Sequence, residues 1–432
     1  MAKSSKKVAL GSFVGTTIEW YDFFIYGIAS ALIFSELFFP SYDPLVGTLL
    51  SFATFGVAFV ARPLGGIVFG HFGDRLGRKP MLVITLIVMG VSTGAIGLLP
   101  TYATIGIAAP LLLVLLRLIQ GLSVGGEYGG AVLMSVEHAP KHRRGLYGSW
   151  VQAGSPAGQV IANTVFIIMS TSVSQEELFA WAWRVPFLFS FVLVIVGITI
   201  RLALDESPEF KRVERTKEVT SAPLLVIWRK YRKQVMLMMG AYISHGVTIY
   251  LGAVYSLNYG TETVGFSYTE MLTLVLICQA IVLVLIPIFA HISDRVGHKK
   301  VFMIGNVGMG VCAFPWFALL NTGNFAAAAL GFVILFIPYS ATYGTMAAFF
   351  SSVYETRVGY SGVSLGYQFG GVVGSAPAPL IAAALLANTG SSTAIGWYMV
   401  LMSIVSVLST IWLKSVSSAA SEPVERSAVA KD

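Results

Sequence analysis

The chain has 432 residues, 56% of them hydrophobic and only 11% charged, with a formal net charge of +7. Soluble domains carry about 25% charged residues, so this composition leaves too little polar surface to coat a water-soluble globule, and the solvent is a bilayer. The two cysteines, Cys278 and Cys312, both sit in apolar segments, which excludes a disulfide framework, a CxxC redox pair and a zinc site.

Lys3, Lys6 and Lys7 precede an apolar stretch from Gly11 to Phe39. That stretch is about twice as long as a signal-peptide core and no small-residue cleavage site follows it, so it is expected to remain as a first membrane helix. Runs long enough to cross about 30 Å of hydrocarbon fall at residues 10–38, 46–71, 81–99, 108–136, 146–170, 182–204, 234–258, 269–291, 300–320, 326–350, 361–388 and 393–413. These twelve spans predict an all-α membrane protein with both termini on one side. Of the 28 Lys and Arg residues, 25 lie in the two tails, at 75–79, 141–144, 201–233 and 295–300, and at Arg357. The alternate loops carry Glu36, Asp43, Glu176, Glu177, Glu262 and Glu270, with Arg184 nearby. By the positive-inside rule both termini are cytoplasmic, and the positive net charge serves topology rather than nucleic acid.

The longest connection, DESPEFKRVERTKEVTSAPLLVIWRKYRK (205–233), divides the chain. The expected organisation is a six-helix bundle over 1–204, a cytoplasmic linker over 205–233, a second bundle over 234–414 and a tail over 415–432. The linker reads as a basic amphipathic surface segment facing anionic lipid; the tail lacks heptads and reads as disordered.

The halves repeat. GHFGDRLGRK (70–79) follows span two and AHISDRVGHK (290–299) follows span eight, sharing five of ten positions; RRGLYGS (143–149) is echoed by RVGYSG (357–362). Repeated halves are a signature of secondary transporters, which seat substrate between them. GHFGDRLGRK resembles the loop signature of the major facilitator superfamily, G-x-x-x-D-R-x-G-R-R/K. EWYDF (19–23), ARPLGG (61–66), RLIQGLSVGGEYGG (117–130) and DESPEF (205–210) resemble the metabolite:proton symporter family, whose members carry citrate, 2-oxoglutarate, shikimate, and proline or betaine. The resemblance runs to about residue 414. It implies two pseudo-symmetric six-helix bundles, alternating access and proton coupling, without fixing the substrate. It also implies an inner gate in which Asp74 meets basic residues such as Arg78, Arg143 or Arg144, with Arg75, Asp294, Arg295 and Arg357 in matching loops. The plainer reading of these charges is topology alone. The second copy departs from the signature at Ala290 and His298.

Inside the spans, charges stand at two depths. At 1.5 Å per residue, Glu19, Arg62 and Glu127 lie roughly 14 Å from the inner face, while Asp22 and Arg117 lie nearer the outer one. A carboxylate at mid-membrane costs about 2.5–3.5 kcal/mol on insertion scales, so these residues need a role. Arg117, Gln120, Gly121, Val124, Glu127 and Tyr128 share one helical stripe. Three acids against two bases suggest that one carboxylate is protonated for part of a cycle. Glu19, Asp22, Arg117 and Glu127 are therefore the proton-coupling candidates, against the alternative of a static ionic network.

The second half offers His245, able to titrate near neutral pH, and neutral donors: Tyr242, Tyr250, Tyr255, Asn258, Gln279, Tyr339, Tyr343, Tyr367 and Gln368. Candidate substrate ligands are Arg62, Arg117, Tyr26, Gln152, His245, Tyr367 and Gln368, with the arginines suited to a carboxylate. Glycines at four-residue spacing, Gly154/Gly158 and Gly362/Gly366/Gly370/Gly374, let helices approach, and Pro377 and Pro379 mark a bend in span eleven. No phosphate loop or HExxH motif is present, so neither an enzyme nor an ATP-driven pump is expected, and no cofactor or metal. The expected activity is proton-linked import of a small polar metabolite, an organic acid, by a monomer in a bacterial inner membrane. A proline- or betaine-type solute is the alternative, and a passive channel or membrane sensor the rival of another class.

Overall fold

The structure is a computed structural model describing residues 2–76, 78–125, 127–137, 139–202, 227, 229–354 and 359–415. Among the described residues it is helical throughout, with no strand. Twelve long segments alternate through the fold: α1 Ala2–Leu32, α2 Pro44–Leu76, α3 Arg78–Leu98, α4 (Ala108–Val124 and Glu127–Glu137), α5 Arg144–Ser172, α6 Arg184–Leu202, α7 from Arg232–Tyr250 onward, α8 Tyr268–Val296, α9 His298–Leu320, α10 Phe325–Ser351, α11 (Gly359–Gly370 and Ala378–Thr389) and α12 Ser392–Trp412. Each falls within a few residues of an apolar run in the sequence.

By length and apolarity alone seven of these qualify as spans, and α6 makes eight when counted with the short helix before it, from which it is bent by 47°. The apolar parts of α3 and α4 are shorter, at Val83–Leu98 and Ala108–Val124. α1 carries Glu19 and Asp22, and α5 is rich in Gly, Ser and Gln; their polar groups are buried against other helices rather than facing lipid, which is how such residues persist in a membrane protein. The lipid face shows the complementary pattern of exposed Leu, Ile and Val, with Trp397 and Trp412 about two-thirds exposed at opposite ends of α12, where amphipathic rings favour the headgroup level.

The internal repeat is structural as well as sequential. In the first half α1 packs on α5, α2 on α4 and α3 on α6; six helices later α7 packs on α11, α8 on α10 and α9 on α12. The halves then meet through α5 against α8 and α10, α2 against α11, and α1 against α7. Glycine makes the closest crossings. A Cβ on Gly158 would strike the α1 backbone at Thr17 and Tyr21, and one on Gly374 would strike α7 at Ile243, so the four-residue glycine rows lie where their helices touch.

The repeated loop has a defined job in its second copy. Gly297 turns between α8 and α9 at φ +106°, a conformation that favours glycine. Two residues on, Lys299 donates from Nζ to the carbonyls of Ile411 (2.9 Å) and Leu413 (3.0 Å), placing a cation on the otherwise unsatisfied end of α12. At the opposite side the acids of the alternate loops cap helices. Ser267 with Glu270 opens α8 and Ser174 with Glu177 precedes α6, each a reciprocal capping box. Pro377 stands at the restart of α11, after a wide turn over Gly371–Ser375. Cys278 is buried, Cys312 half-buried, and both are free thiols.

Candidate functional site

Three helices of the first half bring charge to one level. α2 and α4 cross with backbones in contact: a Cβ on Gly121 would run into the Ala58 carbonyl, and one on Gly125 into the carbonyl of Arg62. That contact sets Arg62 and Glu127 opposite each other. Glu19 joins them from α1, and all three are under a tenth exposed. They line a narrow cavity with Trp20, Tyr128 and, from the second half, Tyr367 and Gln368. The lining side chains close on it, leaving room on the order of a single water. Tyr128 and Tyr367 stack across the halves at 3.7 Å between centroids, and Gln368 donates from Nε2 to the Gly125 carbonyl at 3.1 Å.

The guanidinium of Arg62 lies over two rings, Phe23 at 4.3 Å and Phe59 at 4.4 Å, and its Nε has no hydrogen-bond partner among the described residues. Arg117 is fully buried one level away. Tyr26 covers it at 3.8 Å and Phe23 at 4.8 Å; its Nη1 donates to Gln120 Oε1 (2.8 Å) and its Nη2 to the Phe55 carbonyl (3.1 Å). Tyr26 in turn donates to Thr54 Oγ1 at 2.6 Å. Tyr26 therefore holds Arg117 and does not line the cavity.

Asp22 shares this outer level without meeting Arg117 head-on. Its Oδ1 accepts from Ser190 Oγ of α6 at 2.5 Å. On the other side, Gln120 of α4 accepts from Arg117 and donates from Nε2 to Thr93 Oγ1 of α3 at 2.7 Å, and Thr93 Oγ1 donates to the Met89 carbonyl at 2.9 Å. The electrostatic neighbours of Arg117 are Tyr26, Arg62 and Tyr250.

The second half contributes an aromatic nest. The His245 ring lies between Tyr339 and Tyr343, at 4.6 and 4.5 Å, with Tyr242 edge-on at 5.4 Å. Tyr242 also meets Tyr367 at 4.8 Å, which joins the nest to the cavity wall. His245 Nδ1, Tyr250 Oη and Gln368 Oε1 are buried without hydrogen-bond partners among the described residues. Buried polar atoms are otherwise satisfied in folded proteins, so this centre is chemically equipped for a polar guest. Gln152, wholly buried on α5, reaches across the halves with Nε2 3.4 Å from the Tyr343 carbonyl.

At the side where α5 begins, Asp294 bridges the halves. Its carboxylate accepts from the backbone amides of Gly145 (2.8 Å) and Leu146 (3.2 Å) in the first turn of α5, and His298 Nε2 stands 3.8 Å from it. Arg143, Arg144 and Arg295 are exposed around this contact. Asp74, Arg75 and Arg78 lie on helix described for its backbone only, and Arg357 lies outside the described residues.

The structure thus gathers Glu19, Arg62, Glu127, Tyr367 and Gln368 at one cavity. Arg117 lies behind Phe23 with Tyr26 and Gln120, Asp22 is held by Ser190, and His245 stands in the opposite half. Sequence reasoning did not name Trp20 and Tyr128 as lining residues. Trp20 adjoins Glu19 in EWYDF, and Tyr128 stands on the helical stripe of Arg117 and Glu127; those positions were the available signal.

Residues 12–375 match the family model for the Major Facilitator Superfamily. The chain is 41% identical over 410 residues to the inner membrane metabolite transport protein YhjE of Escherichia coli, covering 92% of each chain. It is 37% identical to the shikimate transporter of the same organism, covering 95% of this chain and 94% of that one. It is 31% identical to the E. coli proline/betaine transporter, covering 95% and 84%. A solved structure of the xylose transporter XylE from E. coli, in a partially occluded inward-open conformation, superposes with a TM-score of 0.75 at 16% identity, covering 96% of this chain and 99% of that one. With twelve helices in two repeated bundles and a family match across most of its length, this chain belongs to the major facilitator superfamily.

Proposed function

We propose that the protein is a secondary transporter that imports a small organic acid together with protons, by alternating access of one central site. The observation that carries this reading is the narrow buried cavity of Glu19, Arg62 and Glu127, with unpartnered polar atoms of Gln368 and Tyr367 beside it, at the meeting of two repeated bundles. Arg62 is the group for the substrate carboxylate, a geometry guanidinium suits by its paired donors. Glu19, Asp22 and Glu127 are the candidates for the proton. Arg117, Tyr26, Gln152 and His245 shape the site from behind its walls. The bundles 1–204 and 234–414 rock about that site as a monomer, in a bacterial cytoplasmic membrane with both termini cytoplasmic. Asp294 on the first turn of α5 is one latch, and Asp74 with its basic neighbours the matching one. The names of the relatives, a metabolite carrier and a shikimate carrier, support a carboxylate.

A zwitterionic solute is the second reading, and a specific feature favours it. Two carboxylates and two aromatic residues, Trp20 and Tyr128, line the cavity beside its single arginine, and an ammonium group binds well among carboxylates and aromatic rings. The experiment for both uses purified protein in proteoliposomes under an imposed pH gradient. Labelled shikimate and labelled glycine betaine are offered in parallel, with and without an uncoupler. Uphill uptake of the acid, abolished by the uncoupler, supports the first reading, and uptake of betaine alone supports the second. Equilibration of either compound with no response to the gradient would replace both with a passive pore.

A further inference from the structure

We infer that Gln368 sets the specificity of the central cavity, and that the solute it selects is a hydroxy acid, a carboxylate with a hydroxyl group close beside it. The inference rests on the reading of Arg62 as the ligand of the carboxylate and narrows the substrate class within that reading.

Gln368 stands near the end of the first part of α11, just before the wide turn that begins at Gly371. Its amide faces the break in α4, where the helix stops at Val124 and resumes at Glu127. Nε2 lies 3.1 Å from the Gly125 carbonyl. A carbonyl oxygen only accepts, so the nitrogen of the amide must be the atom that faces it, and the orientation of the side chain is fixed. Oε1 is then a pure acceptor. It has no partner among the described residues, on a side chain only 3% exposed that lines the cavity.

The same cavity holds the complementary group. Arg62 is 3% exposed, and its Nε is a donor with no partner among the described residues. Glu19 and Glu127 of the same wall are engaged within the protein, so the acceptor left for a solute is the neutral amide. The hydroxyl of Tyr367 is also unpartnered, but a hydroxyl can give or take a hydrogen bond and imposes no choice. What fits this wall is an accepting group next to a donating one. A carboxylate supplies the first and a hydroxyl the second. A plain carboxylic acid leaves Gln368 Oε1 buried and bare, and so does a quaternary ammonium solute, which has no N–H to offer.

The requirement acts on closure. Gln368 belongs to the second bundle and Gly125 to the first, so the bond that orients the amide exists only while the two are together at this level. Apart, the amide is free to turn; together, it is set as an acceptor in a space with room on the order of a single water. A buried group built to pair with a hydroxyl discriminates strongly against the analogue that lacks it, because the group is then left unpaired.

Isothermal titration of the full-length protein in detergent tests this with acids matched except for hydroxyl groups: shikimate against cyclohex-1-ene-1-carboxylate, malate against succinate, and lactate against propionate. In wild type the hydroxylated member of at least one pair should bind at least about tenfold more tightly than its partner. Gln368→Met keeps the volume of the side chain and removes the acceptor. In it the two members should bind alike, with the affinity of the deoxy acid unchanged. Gln368→Leu is the second arm if that variant does not fold. A purely structural Gln368 would weaken both members equally and keep their ratio, and a ratio retained in folded variants overturns the proposal. Equal binding of both members by wild type overturns the hydroxyl requirement and leaves the carboxylate reading standing. If wild type binds none of the six acids, the carboxylate reading itself fails and this inference with it, which is a distinguishable result.

Discussion

Phe23 stands between two buried cations. Its ring centroid is 4.3 Å from the Arg62 guanidinium carbon and 4.8 Å from that of Arg117. Each such contact contributes about 0.5–2 kcal/mol when desolvated, and the ring also keeps apart two like charges that would repel. Phe23→Leu is expected to lower the thermal midpoint of the purified protein by several degrees and to weaken uptake, whereas Phe23→Trp should retain more of both; melting and uptake assays on the pair check this. Arg62 is the cation at the cavity itself. In Arg62→Gln the cavity keeps two carboxylates and loses the group that would receive an anion. Binding of a carboxylate substrate should fall at least about tenfold, which corresponds to about 1.4 kcal/mol, as read by isothermal titration in detergent. Unaltered affinity would move the substrate carboxylate to another residue.

At the scale of elements, the meeting of α5 with α8 is the most sharply defined contact between the halves. Asp294 satisfies two of the amides that the first turn of any helix leaves without intrahelical partners, and its charge faces the positive end of the helix dipole, worth about 0.3–1 kcal/mol and up to about 2 kcal/mol when partly buried. The approach requires glycine, since a Cβ at Gly145 would lie 2.8 Å from both the Ala290 carbonyl and the Asp294 carboxylate. Gly145→Ala is therefore expected to prise this side open. A cysteine at Gln368 should then react faster with an impermeant alkylating reagent added from the side of the termini. Equal labelling rates in the presence and absence of the substitution would show that the contact is no latch. At the α2–α4 crossing the expectation differs in kind. Gly121→Leu has no free space to enter, and overpacking of this sort costs about 1–3 kcal/mol or more, so the loss should be of folded protein rather than of gating.

Across the whole molecule the halves touch at both ends of the central site. On the side of the termini the contacts are Asp294 with α5 and the Tyr128–Tyr367 stack. On the opposite side Asn258 Nδ2 reaches the Ala31 carbonyl at 3.4 Å, and the hydroxyls of Ser170 and Thr269 meet at 3.0 Å. The halves are thus tied at both ends, by contacts that alternating access must break at one end at a time. A Ser170→Cys/Thr269→Cys pair should form a disulfide under oxidation and stop transport, with recovery on reduction. Full uptake by the oxidised protein would mean that α5 and α8 do not part on this side during the cycle.

Much of this was legible in the chain. Twelve apolar runs, a loop-charge asymmetry that only Arg184 breaks and the doubled DRxGxK loop fixed the helices and their repeat, because a bilayer allows a spanning segment few alternatives to a helix. Helical rise and stripe periodicity were enough to assign Glu19, Arg62 and Glu127 to one level, since depth in a straight helix depends only on counting residues. Counting gives depth and not azimuth, so it could not say which groups at one level touch. That Asp22 pairs with Ser190 of α6 while Arg117 holds Gln120 of α4, that Tyr26 roofs Arg117 instead of the cavity, and that Asp294 caps a helix of the other half were decided by how helices far apart in sequence rotate and cross. Those rotations are set by glycine contacts such as Gly121 on Ala58, whose partners belong to another helix and leave no mark in the local sequence.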